Sequence, residues 1–202
     1  MPITLIIIAI TCFVSFMAFK NGRLMNDLIF WPPAITRQHE YHRLVTYGVV
    51  HADFNHLLFN MLTLYFFGQA MEQFFGLEMG AFGFPLFYIG ALVASILPTY
   101  FKHRNDVNYR SLGASGAVSA VLFGFIILHP WSTINVFFAL PIPAIVYALL
   151  YTGYSLYMDR RGMGNINHSA HLWGGAYGVI FTLLMDRRVL PYFLDQLSHP
   201  AF

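Results

Sequence analysis

Ser111-Leu-Gly-Ala-Ser115-Gly-Ala-Val-Ser-Ala-Val-Leu-Phe-Gly124 is the stretch whose reading decides the rest. It opens an uncharged run from 111 to 158, about twice the roughly 20 apolar residues that a bilayer-spanning helix needs. A serine between small residues at the head of such a run has two physical readings. It is a packing position for a neighbouring helix, or it is a nucleophile set where a substrate backbone can reach it. The choice depends on whether other segments bring a base and an oxyanion binder to the same depth.

Hydrophobic residues make up 57% of the 202-residue chain and charged ones 10%, against about 25% charged in a soluble domain. This composition points to an all-α integral membrane protein. Further uncharged runs cover 2–19, 54–71, 79–101 and 162–185, and His129-Pro130-Trp131-Ser132 breaks the 111–158 run. Six spans are therefore expected, at approximately 3–19, 52–75, 79–101, 111–128, 134–158 and 166–185, forming one domain over 1–202. The first run lacks the basic start of a signal peptide and is kept as a span. Cys12 is the only cysteine, so no intramolecular disulfide can form. A net charge of +2 gives no case for a nucleic-acid partner.

Between the first two spans lies a long connection containing Trp31-Pro32-Pro33 and Glu40-Tyr-His-Arg43. Connections of this length are functional or disordered, and the aromatic and proline content predicts an ordered segment in the membrane interface. Arg43 would bind lipid head groups, tie the loop together, or stand as a solvated charge. The second span opens with His51-Ala-Asp-Phe-Asn-His56-Leu-Leu-Phe-Asn60 and carries Glu72 to the opposite membrane face. His56 and Asn60, four apart, share one helix face, and polar groups at this depth turn toward the bundle interior. The third span shows no chemistry of its own. In the fourth, Ser115 is expected about one turn inside the helix, followed by a small-residue stripe at Gly116, Ala120 and Gly124. The sixth carries a matching stripe at Ala170, Gly174 and Gly178. Close packing of the two would bring His171 to Ser115. Pro141 and Pro143 fall in the expected fifth span and predict a bent or soft helix there.

In an up-down bundle the second, fourth and sixth spans cross in one direction. His56, Asn60, Ser115 and His171 then all lie in first turns, at similar depth beneath one membrane face. A serine hydroxyl needs an adjacent general base, which His171 supplies. The backbone N–H of Ser115, His56 and Asn60 are the candidate donors to an oxyanion, and Gly113 and Gly116 allow close backbone approach. With no Asp or Glu beside either residue, a Ser–His dyad is expected.

These residues resemble the rhomboid intramembrane serine proteases. Gly113-Ala-Ser115-Gly116 is similar to their GxSG, and Ala170-His171-Leu-Trp-Gly174-Gly-Ala-Tyr-Gly178 to their AHxxGxxxG. His51, His56 and Asn60 resemble their HxxxxHxxxN, and the segment from Glu40 to Arg43 resembles their loop motif ending in Trp-Arg. The resemblance implies a six-helix rhomboid-like bundle with Ser115 as nucleophile, His171 as base, and His56 and Asn60 in the oxyanion hole. It implies single-span membrane proteins as substrates, and a multi-pass protein of a bacterial inner membrane with its active site toward the outer face. No cofactor and no metal is implied. Two positions depart from the family pattern: His42 stands where tryptophan is usual, and Ser119 where some members stack an aromatic on the catalytic imidazole. Trp173, His168 or general packing would then have to orient His171.

Charge and family disagree on orientation. Every Lys and Arg except Arg187 and Arg188 falls on the active-site side, which the positive-inside rule would place in the cytoplasm. The resemblance places that side outward, and it is preferred because part of the first loop is expected to be buried at the interface. Three rival functions fit the residues less well. An inactive rhomboid relative that binds membrane clients usually lacks the Ser or the His. A metal site of His51, His56, His168 and His171 leaves the serine unexplained and has no HExxH. A transporter leaves the Ser–His pairing idle.

Overall fold

A computed structural model describes residues 2–136, 139–162 and 166–200. Its six longer helices are α1 (Ile3–Lys20), α5 (Phe54–Met79), α6 (Gly83–His103), α7 (Ser115–Leu128), α8 (Ala144–Arg161) and α9 (His168–Met185). Three short helices, α2 (Gly22–Leu28), α3 (Pro32–Gln38) and α4 (Arg43–Thr46), occupy the first connection, and α10 (Val189–Ser198) follows α9.

Polar groups at the helix ends set the alternation of direction. The carboxylate of Glu72, late in α5, accepts from the Ile3 and Thr4 N–H groups at 2.6 and 2.8 Å and from Thr4 Oγ1 at 2.7 Å. An anion there satisfies orphan donors and complements the helix dipole, so α1 runs antiparallel to α5. At the other end of the bundle, Asn167 caps α9 by accepting from the Ala170 N–H at 3.0 Å. Its amide also donates to Thr99 Oγ1 at 3.1 Å, which joins the start of α9 to the end of α6.

The most deeply placed helix is α7, with ten of its fourteen residues buried. Toward its far end an aromatic cluster fastens α5, α6 and α9. Phe75 stacks on Phe87 at 4.4 Å between centroids and meets Phe181 edge-on at 5.5 Å.

The structure corrects the sequence reading in three places. First, the expected fifth span begins with a hairpin: β1 (Thr133–Val136) pairs antiparallel with β2 (Leu140–Pro143), Thr133 opposite Pro143. Phe137 and Phe138 lie outside the described residues. Pro141 stands in β2 and Pro143 is the N-cap of α8, so neither proline softens that helix. An edge strand tolerates residues without a backbone donor, and an apolar run alone does not tell such a strand from a helix. The interior proline belongs to α6, at Pro98. Second, α7 starts at Ser115 itself, because Ser111 is held in an extended bridge with Phe30. Third, α10 lies beyond the six expected spans; its Val189 is buried, and Trp131 Nε1 donates to the Gln196 carbonyl at 2.6 Å.

Among the described residues, two stretches are long and apolar enough to cross a membrane, Ile3–Lys20 and Phe54–His103. The second contains both α5 and α6. α7 is apolar but shorter.

Candidate active site

The segment entering α7 is held from three sides. Phe30 and Ser111 exchange backbone hydrogen bonds at 3.0 and 3.1 Å, and the Gly113 N–H donates to the Tyr47 carbonyl at 2.9 Å. His51, fully buried, supplies the third hold. Ser15 Oγ donates to the Val49 carbonyl at 2.9 Å, His51 Nδ1 lies 3.0 Å from the same Ser15 oxygen, and the Ala114 N–H points at His51 Nε2 at 3.3 Å. The network is satisfied by one tautomer, with the proton on Nδ1 donated to Ser15. Burial, with His56 nearby, pushes the His51 pKa down to about 3, against an opposing pull from Asp53. The neutral ring therefore ties α1 to the residue just before Ser115.

The first connection supports this entry. Arg43 is buried, donates from Nη1 to the Asn26 and Ile29 carbonyls at 2.6 and 2.8 Å, and pairs through Nε with Glu40. Of the three readings of Arg43, the tie within the loop is the one the structure shows. Among the described residues, His42 Nε2 lies 3.3 Å from the Asp27 carbonyl.

Gly113 has φ +107°, and a Cβ there would come within 2.7 Å of His56 Nε2. Glycine is required by both backbone and ring. The ring of His56 meets His51 edge-on at 5.0 Å between centroids.

The stripes pack in register. A Cβ on Gly174 would overlap the Gly116 backbone, one on Gly178 the Ala120 backbone, and one on Gly124 would lie 3.0 Å from Thr182 Oγ1. The constant offset shows that α7 and α9 run parallel. Their starts lie side by side, and His171 Nε2 is 2.8 Å from Ser115 Oγ. On its other flank Gly116 abuts the Ser95 side chain, and the Tyr47 hydroxyl donates to the Leu92 carbonyl at 2.7 Å. The helix in which the sequence shows no chemistry, α6, is thus the floor under the first turn of α7.

Ser115, His171, His56, Asn60, Gly113 and Gly116 all line one cavity of about 720 Å³. Asn60 uses one N–H on the His56 carbonyl at 2.8 Å, which leaves the second N–H of its amide. Among the described residues, no group of three His, Cys, Asp or Glu side chains could hold a metal ion.

Trp173 is exposed, and His168 meets the His171 ring edge-on at 5.6 Å. The ring that lies on His171 is one the sequence did not single out, Tyr151 of α8. The signal for it was the pair Tyr147 and Tyr151, four apart and so on one helix face.

The rhomboid domain family model matches residues 38–188. The chain belongs to the rhomboid family. Among its relatives, the mitochondrial RHOMBOID-like protein 12 of Arabidopsis thaliana is 32% identical over 83% of this chain and 53% of its own length. A Bacillus subtilis protein of the rhomboid group is 29% identical over 79% of this chain and 77% of its own. Rhomboid protein 1, mitochondrial, of Saccharomyces cerevisiae is 30% identical over 69% of this chain and 40% of its own. The chain thus spans about half of the Arabidopsis relative. Rhomboid membership and the apolar helices make it an integral membrane protein. These relatives come from plant, yeast and bacterium, so they do not support the expectation of a bacterial inner membrane.

Proposed function

We propose that this rhomboid is an intramembrane serine endopeptidase that cuts transmembrane segments of membrane proteins through a Ser115–His171 dyad. The reading is carried by the 2.8 Å approach of His171 Nε2 to Ser115 Oγ at the edge of a cavity that His56 and Asn60 also line. In the first step His171 takes the Ser115 proton while Oγ attacks the scissile carbonyl. His56, the free amide N–H of Asn60 and the Ser115 backbone N–H receive the oxyanion. His171 then passes the proton to the leaving amine, and the acyl-enzyme forms. A water entering the cavity gives its proton to His171 and attacks the ester; collapse of the second tetrahedral intermediate returns the proton to Ser115 and releases the carboxylate product.

The six longer helices serve as the spans. The fourteen residues of α7 rise about 21 Å, short of the roughly 30 Å hydrocarbon core. If its far end reaches the opposite face, Ser115 is recessed within the bilayer thickness, and the cavity above it admits water. The groove between α5 and β1, lined by Phe59, Thr63, Phe66 and Ile134 and bordered by Tyr147 of α8, is the side entrance for a substrate helix. Substrates are single-span proteins with Gly, Pro or other small residues near the cut, because helical peptide bonds are shielded until the helix unwinds. The site faces the outer side of its membrane. Labelling of single cysteines placed between 102 and 110 tests that orientation; cytoplasmic labelling would reverse it.

The deciding experiment is cleavage of a generic single-span reporter together with fluorophosphonate labelling. Wild type is labelled and active regardless of chelator. Ser115→Ala and His171→Ala lose cleavage by at least about 10³-fold, and Ser115→Ala loses the label. A folded wild type that neither cleaves nor labels would instead be a client-binding rhomboid without activity.

A further inference from the structure

We propose that Tyr151 is the positioning residue for the His171 imidazole, and that α8 completes the site by carrying it. The inference rests on the protease reading above. His171 has one hydrogen bond to Ser115, and among the described residues no carboxylate bonds to its ring. A base held by one bond is free to turn about its side-chain torsions, whereas proton transfer requires alignment within roughly 10–20°. Packing has to supply the missing constraint.

Tyr151 supplies it on one face. Its ring stacks on His171 with centroids 6.0 Å apart and planes 26° from parallel, an offset arrangement that aromatic pairs favour. The tyrosine is itself fixed on three sides. Its hydroxyl is 3.0 Å from Ser119 Oγ, Tyr147 stacks behind it at 5.7 Å and 21°, and Phe123 borders it at 5.8 Å. His168 closes the edge of the imidazole at 5.6 Å and 78°.

Ser119 follows Ser115 by one helical turn and so shares its face of α7. A small residue there leaves the space that the Tyr151 ring fills, and its hydroxyl anchors the phenol. The two positions are complementary: one supplies an aromatic, the other room and a hydrogen bond. Because the aromatic comes from α8, a sideways displacement of that helix would take the ring off His171. The base is then aligned only when α8 is seated against α7 and α9.

Steady-state cleavage of the single-span reporter, fluorophosphonate labelling rate and melting temperature are measured on the full chain in liposomes. Tyr151→Leu fills the space without a ring and should lower kcat by about 10- to 100-fold, with KM near wild type and labelling slowed in parallel. Tyr151→Phe keeps the stack and should stay within about threefold of wild type, since one neutral hydrogen bond contributes little. The exchange variant, Ser119→Tyr with Tyr151→Ser, carries the ring on α7 and should recover most of the kcat lost in Tyr151→Ser. The proposal is overturned if folded Tyr151→Leu keeps wild-type kcat, if Tyr151→Phe falls as far as Tyr151→Leu, or if the folded exchange variant recovers nothing. A loss that tracks the unfolded fraction also overturns it. Ser115-dependent labelling of wild type with unchanged labelling of Tyr151→Leu sinks this inference alone. No labelling of wild type sinks the protease reading with it.

Discussion

Along the seam between α7 and α9 backbone meets backbone, whereas α8 is attached to the same helices mainly through side chains. Gly174 lies against the Gly116 main chain and Gly178 against that of Ala120. On α8, only Ala144, Ala148 and Ser155 are buried among eighteen residues, and Leu149, Leu150, Tyr154 and Tyr157 face outward. A seam without intervening side chains has no rotamers through which to yield, so it fixes the separation of Ser115 and His171. The α8 contact, made through side chains such as Tyr151 against Ser119 and His171, has rotamers through which to yield. Under the proposed function, a site that must stay aligned while admitting a membrane-embedded helix calls for both kinds of contact, and the molecule separates them.

The sharpest way to break this contrast is to put volume into the seam. Gly178→Leu would overlap the Ala120 backbone and should cost about 3 kcal/mol or more, seen as loss of the thermal transition and of fluorophosphonate labelling together. A folded, active Gly178→Leu would refute the rigid seam.

Next in size is a restraint on α8. A bifunctional thiol cross-linker joining cysteines at Thr63 and Tyr147, which line the same groove, with Cys12 replaced, should slow cleavage of a transmembrane reporter by about tenfold relative to the same variant without the cross-link. Labelling by a small fluorophosphonate should be equal in the two forms. Equal cleavage with and without the cross-link would place substrate entry elsewhere.

A smaller effect is expected where α1 meets the entry to α7. With its folded pKa near 3 and an ordinary value near 6.5, His51 takes up a proton on unfolding anywhere between those limits. Stability should therefore fall as pH drops through that window, and His51→Asn should flatten the dependence of melting temperature on pH. An identical slope in the variant would assign it to other groups.

The smallest effect is on α8. A Cβ added at Gly153 would meet nothing within 4 Å, so Gly153→Ala should raise stability by up to about 1 kcal/mol through helix propensity alone. Destabilisation there would mean that α8 is packed as tightly as the seam.

How far the site is legible along the chain varies with the kind of signal. The stripes at Gly116, Ala120 and Gly124 and at Ala170, Gly174 and Gly178 are periodic, and a helix converts period into a face. That periodicity alone places His171 next to Ser115. Pro141 and Pro143 mislead because a run of apolar residues has no period that separates an edge strand from a helix. The start of α7 is misplaced for a related reason: Ser111 is extended through its bridge to Phe30, a partner far away in the chain. Ser95, His51 and Arg43 have legible identities but ambiguous purposes, since each acts through a backbone group or a neighbour on another element.

By itself the sequence determined that the chain is apolar and helical, which residues share a helical face, and which polar groups fall in the first turns of alternate helices. These follow from composition and local periodicity. Only the tertiary structure decided that an α8 tyrosine lies on His171, that His51 grips the residue before Ser115, and that Glu72 caps α1. Each of these joins side chains on different elements, whose mutual approach is set by packing across the bundle and leaves no periodic trace along the chain.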